Sequence, residues 1–107
     1  MNAWLALTLA GLLEVGFTTC MKLSDNFTHV KYIIGFLICT LFSFIFLNKA
    51  ISQIPLGTAY AIWTGIGAFG TVVIGMVFFK DPVSILRILL LMLLVGSILG
   101  LKLIADE

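Results

Sequence analysis

Four long apolar runs alternate with short polar segments along the chain. Residues 3–21 are apolar apart from Glu14 and three threonines. Lys22 to Lys31 is polar and reads as a loop. A second run covers residues 32–50, with Asn48 to Pro55 as its polar close. Pro55 lacks a backbone donor, as suits a helix boundary. Residues 56–79 form a glycine-rich third run, and Lys80, Asp81 and Pro82 make a turn. Residues 85–104 form a leucine-rich fourth run, and Asp106 and Glu107 are expected to form a short polar tail. A hydrocarbon layer of about 30 Å, crossed at 1.5 Å per residue, needs about 20 residues. The pattern therefore predicts an all-α membrane protein of four transmembrane helices, forming one domain over residues 1–107.

Composition supports this reading. Of 107 residues, 62% are hydrophobic and 10% charged, with a mean hydropathy of +1.24. Soluble domains carry about 25% charged residues, so a soluble fold of this sequence would have no polar coat. The net charge of +1 gives no footprint for nucleic acid. No Lys or Arg precedes Lys22, so the first run is expected to be a retained span and not a signal peptide. Cys20 and Cys39 read as small packing residues. The spacings of a metal site, a phosphate-binding loop and a nucleophile–base pair are all missing, so neither an enzyme nor a cofactor is expected.

Charge also bears on orientation. With an even number of spans both termini share one side. Lys49 and Lys102 flank that side, and Lys22, Lys31, Lys80 and Arg87 flank the other. Four against two slightly favours the second set in the cytoplasm. A bias this small also allows both orientations.

Glu14 is the exception to the pattern. The other acids, Asp25, Asp81, Asp106 and Glu107, lie in loops or the tail. A carboxylate at mid-span costs on the order of 2.5–3.5 kcal/mol or more, and such groups are functional by default. Hydrocarbon favours the neutral acid. A site holding either a proton or a cation, never both, would by itself couple the two movements. A protonated acid bonded between helices is the structural alternative. Helical spacing places Gly11, Phe17 and Thr18 on the same face as Glu14: a small residue, an aromatic wall and a hydroxyl.

The third run adds Tyr60 and Trp63, three apart and therefore on one face. Aromatic faces attract organic cations, so two of them beside a carboxylate make a plausible cation box. Half of the ten glycines fall in this run, and Gly65 with Gly67 would let the helix bend. In the fourth run Gly96 and Gly100 form a GxxxG face, which allows close helix association. One chain with one mid-span acid can hardly enclose a path, so a dimer is expected.

These residues together resemble the small multidrug resistance family of proton-coupled exporters over essentially the whole chain. The resemblance rests on Glu14 and Val15 followed by Thr18, Thr19 and Lys22, on Phe27 and Thr28, on Ser43, and on the block from Pro55 through Tyr60 and Trp63 to Gly67. It implies an antiparallel dimer with a shared site, lined by Glu14, Tyr60 and Trp63, with Ser43 in its hydrogen-bond network. It also implies that the fourth span is the dimerisation helix. The block from Gly57 to Gly67, with Gly100 to Lys102, resembles the guanidinium-exporter branch. That branch usually has Trp where Phe17 stands, and Phe lacks the indole N–H. Thr18 and Thr19 resemble the quaternary-ammonium branch, which commonly has Gly at position 17. Some members work as pairs of different subunits.

The expected function is a proton-coupled antiporter exporting small organic cations across the cytoplasmic membrane, with guanidinium-type cations favoured and quaternary ammonium as the other candidate. Its partners are the cation, protons and the bilayer. Two alternatives remain: one subunit of a heterodimeric exporter, and a non-transporting assembly subunit.

Overall fold

A computed structural model describes residues 2–105; Asp106 and Glu107, the expected polar tail, lie outside the described residues. The described chain is four helices: α1 (Ala3–Leu23), α2 (Val30–Ile51), α3 (Leu56–Phe78) and α4 (Ile85–Leu103). All four are long and apolar enough to cross a membrane. No connector exceeds six residues, and such short links reverse the chain direction between neighbours. Lys22, Lys31, Lys80 and Arg87 therefore gather at one end.

Local chemistry sets the helix ends. Asn2 caps α1, its side-chain oxygen accepting from the Trp4 N–H at 2.7 Å. Ser84 does the same for α4, accepting from the Arg87 N–H. Such caps satisfy the donors that a first turn leaves free. At the far end of α1, Ser24 is fully buried. Its hydroxyl donates to Met21 O and accepts from the Phe27 N–H. The chain then turns through three left-handed residues, Asp25, Asn26 and Phe27. Asp and Asn tolerate this region, whereas Phe27 is held there against its preference. Its ring packs edge-on against Phe36 of α2, with centroids 5.5 Å apart.

The helices form a flat slab of 45 × 35 × 18 Å. Helix α1 lies between α2 and α3, and the backbone of α4 comes close to α3 alone among the described residues, with Lys102 reaching over the Trp4 ring of α1. Small side chains make the closest contacts: Ala3, Ala6 and Ala10 of α1 share a core with Ala50, Ile54, Ala59, Ile62 and Trp63. The α1–α3 seam repeats one device. Gly11 faces Ile66, Gly67 faces Glu14, and Gly70 faces Val15 at contacts that leave no room for a Cβ. Across α1–α2, Cys39 sits over Gly16 and Cys20 over Gly35; both cysteines are free thiols. In lipid, where apolar burial does not drive association, close packing at small residues does. Most leucines and isoleucines of α2 and α4 face outward, as lipid-exposed surface would.

The seam yields a prediction. Gly70→Leu forces a side chain into Val15 and should cost about 1–3 kcal/mol through overpacking. A lowered thermal midpoint in detergent is expected. Gly57, with nothing near its missing Cβ, is the control, and Gly57→Ala should leave the midpoint unchanged or raise it slightly.

Candidate functional site

Glu14 stands midway along α1 and faces α3. Its carboxyl lies directly against Gly67, at a distance only a residue without Cβ permits. One carboxyl oxygen, Oε1, is buried and has no hydrogen-bond partner. An unpaired buried acceptor costs about 1–3 kcal/mol, so this atom is an unmet hydrogen-bonding demand within the seam.

The hydroxyl expected beside it is engaged elsewhere. Thr18 lies one turn on from Glu14. Its Oγ1 donates to the Glu14 and Val15 carbonyls, both at 3.0 Å, and pairs with Thr71 Oγ1 at 2.8 Å. Back-bonding to the preceding turn is the local option open to a helical threonine, and it leaves the carboxyl unsolicited.

A buried relay crosses the slab beside the acid. Trp63 Nε1–H donates to Ser43 Oγ at 3.1 Å, and the Ser43 hydroxyl donates to the Ala10 carbonyl at 2.7 Å. Ala10 is four residues before Glu14 on the same face of α1. The relay thus fixes the Trp63 ring across α1, α2 and α3. Ser43 is fully buried and Trp63 nearly so.

Tyr60 and Trp63 do share a region, with centroids 5.8 Å apart and rings tilted by 51°. Their settings differ, however. Trp63 points into the chain, while Tyr60 is 57% exposed. Helix α3 turns Ala59, Ile62, Trp63 and Gly67 inward, and leaves Tyr60, Ala61, Thr64 and Ala68 outward. Tyr60 therefore closes no box within a single chain. Phe17 also departs from expectation. Its ring meets Phe36 of α2 edge-on at 5.9 Å.

The glycines have separate duties. Gly11 admits Ile66, and Gly65 admits Ile98 of α4, whose Cδ1 would stand 2.8 Å from a Cβ there. Helix α3 is continuous through Gly65 and Gly67. Gly96 and Gly100 meet nothing within 4 Å of a built Cβ, so the GxxxG face is open. Two residues join the site that sequence reasoning missed. Thr71 pairs with Thr18, and Phe44 packs on Trp63 at 5.7 Å. Thr71 follows Gly67 by four residues, so helical periodicity from Gly67 could have found it. Phe44 carried no distinguishing signal among the many apolar residues of α2.

Comparison with known proteins identifies relatives over nearly the whole chain. A family model described as Small Multidrug Resistance protein matches residues 2–94. A guanidinium exporter from Yersinia pseudotuberculosis is 44% identical over 101 residues, covering 94% of this chain and 97% of that protein. A guanidinium exporter from Proteus vulgaris is 41% identical, with the same coverage. A Bacillus licheniformis protein named "Probable guanidinium efflux system subunit GdnD" is 39% identical, over 95% of this chain and 98% of its own length.

The relay is testable on its own. Ser43→Ala leaves the buried Trp63 N–H without its acceptor, at a cost of about 1–3 kcal/mol. Thermal stability should fall and Trp63 emission should change. An unaltered melting curve with unaltered emission would show that the relay does not hold the ring.

Proposed function

The chain belongs to the small multidrug resistance family, and from that premise we propose that it exports small organic cations, guanidinium-type cations first among them, in exchange for protons. The observation that carries the reading is the buried, unpartnered Oε1 of Glu14. A proton or a cationic N–H donor each satisfies that oxygen, and each displaces the other. Exclusive occupancy of one carboxyl is sufficient for coupled exchange. The names of the relatives support the substrate class.

The active unit in this reading is a dimer. One chain is a slab 18 Å thick, so it has no second wall for Glu14 and Tyr60. The outward Tyr60 and the open Gly96–Gly100 face supply surfaces on which a second copy would complete the site. Antiparallel packing fits the family resemblance and the small excess of basic residues at one end. In the dimer Glu14 carries proton or cation, while Tyr60 and Trp63 wall the site and Ser43 keeps Trp63 in place. Gly65 and Gly67 give α3 the freedom to bend as access alternates. Phe17 and Thr18 shape the flank, and Gly11 keeps the acid close to α3. A two-subunit exporter is the second reading, favoured by the word subunit in the Bacillus protein's name and by the Phe17 departure.

Guanidinium carries donors only and needs several acceptors, whereas a quaternary ammonium relies on charge and aromatic faces. Phe17 offers the carboxyl no indole N–H, so Glu14 is less constrained and selectivity should be looser than with Trp there. The experiment is proton-driven uptake of both cation types into proteoliposomes. Wild type should carry guanidinium in preference, with measurable tetra-alkyl transport. Glu14→Gln should fold and associate normally yet carry neither cation above the level of empty vesicles. Proton-driven uptake by Glu14→Gln would refute the exchange mechanism. Activity only on co-expression with a homologous chain would establish the two-subunit form.

A further inference from the structure

Between the C-terminal ends of α1 and α3 lies a cleft of about 180 Å³, separate from the Glu14–Gly67 contact. Its polar lining is Thr18, Thr19, Lys22, Thr71 and Asp81. Asp81 is fixed over the end of α3. Its backbone N–H donates to the Gly75 carbonyl at 3.0 Å, and its carboxylate lies against Gly75 in the space a Cβ would fill.

A count of hydroxyl hydrogens gives the cleft its chemistry. Carbonyls only accept, so the Thr18 hydrogen serves the Glu14 and Val15 carbonyls. Thr71 must then supply the hydrogen between the two hydroxyls. The Thr19 hydrogen is spent on the Val15 carbonyl at 2.7 Å. Thr71 and Thr19 are thus left with lone pairs alone, and the Asp81 carboxylate is an acceptor throughout. Lys22 is the one donor in the lining.

The helix ends add a second argument. Each helix presents partial negative charge at its C-terminus, which favours a cation there. Helices α1, α2 and α4 carry Lys22, Lys49 and Lys102 in their last turns. Helix α3 carries no basic residue in its last turn, and Asp81 lies over that end. Lys80 follows on the exposed side and is not part of the cleft lining.

We propose that this cleft is a second cation subsite, specific for planar, donor-only cations of the guanidinium class, with Asp81 as its anchor and Thr71 and Thr19 as flanking acceptors. It takes the cation at the mouth of the α1–α3 seam, its Thr18–Thr71 edge one helical turn from Glu14 and its Asp81 anchor about two turns away, and Lys22 competes with the cation for Asp81. The cation class rests on the exporter reading above. Tetra-alkyl cations have no N–H to offer these acceptors and gain little from the cleft.

The test is a nuclear magnetic resonance titration of the full chain in bicelles. It uses the Glu14→Gln variant, so that the central carboxylate takes no part. Guanidinium chloride should produce saturable shifts at the Gly75 and Asp81 amides, and tetramethylammonium chloride and sodium chloride at equal ionic strength should not. Asp81→Asn should weaken the guanidinium response by about tenfold or more, the loss of one charge-assisted contact. Thr71→Val, which keeps the side-chain shape, should weaken it by a smaller factor. Amides that do not move, that move equally with tetramethylammonium, or that still respond fully in Asp81→Asn overturn the subsite. Saturable binding here, with no guanidinium uptake by wild type, would sink the exporter's substrate reading and leave the subsite standing. Uptake without any response at Asp81 would do the reverse.

Discussion

The arrangement depends on one contact, the Glu14 carboxyl pressed against Gly67. An acid in hydrocarbon is tolerable only when its charge is neutralised or its oxygens are bonded. Here the chain withholds the nearest hydroxyl, because Thr18 turns back to its own helix and across to Thr71. The acid is held close to α3 by the absence of a side chain, and Oε1 has nothing of its own to bond. In the proposed exchange its occupant comes from elsewhere, a proton and a cation competing for the same oxygen.

The remaining architecture holds that buried oxygen in place without giving it a partner. Glycines along α1 and α3 draw the two helices together at fixed points, so the carboxyl has a defined position. The Trp63–Ser43–Ala10 relay ties all three inner helices at the same level. On the outer side, Tyr60 and the α4 glycines face away from the chain. Rigidity therefore sits on the inner face and incompleteness on the outer one. That division suits a site whose second half arrives with another copy. Polar groups near the acid are few, and the hydroxyls of Thr18, Thr71 and Ser43 are all engaged in hydrogen bonds, which in the proposed exchange limits the routes by which protons could leak past a bound cation.

Much of this was legible in the sequence. Four apolar runs announced four helices because a span of that length, too long for a barrel strand, bonds its own backbone in lipid as a helix. Glu14 was conspicuous as the sole mid-span acid. Tyr60 and Trp63 could be placed on one region of α3 by spacing alone. Spacing could not say that Trp63 turns inward and Tyr60 outward, because i and i+3 differ by a fraction of a turn that decides which side of a packed seam each occupies. Nor could it send Phe17 to Phe36, since α1 packs on two helices and its faces are shared between them. Thr18 was placed on the face of Glu14, but spacing could not show its bonds, since helical threonines bond the preceding turn first. Asp81 was read only as part of a turn. Its place over Gly75 depends on how the chain leaves α3, which no periodicity encodes.

The central claim, that one carboxyl holds proton or cation in exclusion, is most directly tested by calorimetry. Guanidinium is titrated into the purified protein in two buffers of equal pH and different ionisation enthalpy. If binding expels a proton from Glu14, the observed heats differ between the buffers in proportion to the protons released. Equal heats in both buffers, with the cation bound, would show that the site takes its substrate without giving up a proton, and would contradict the account.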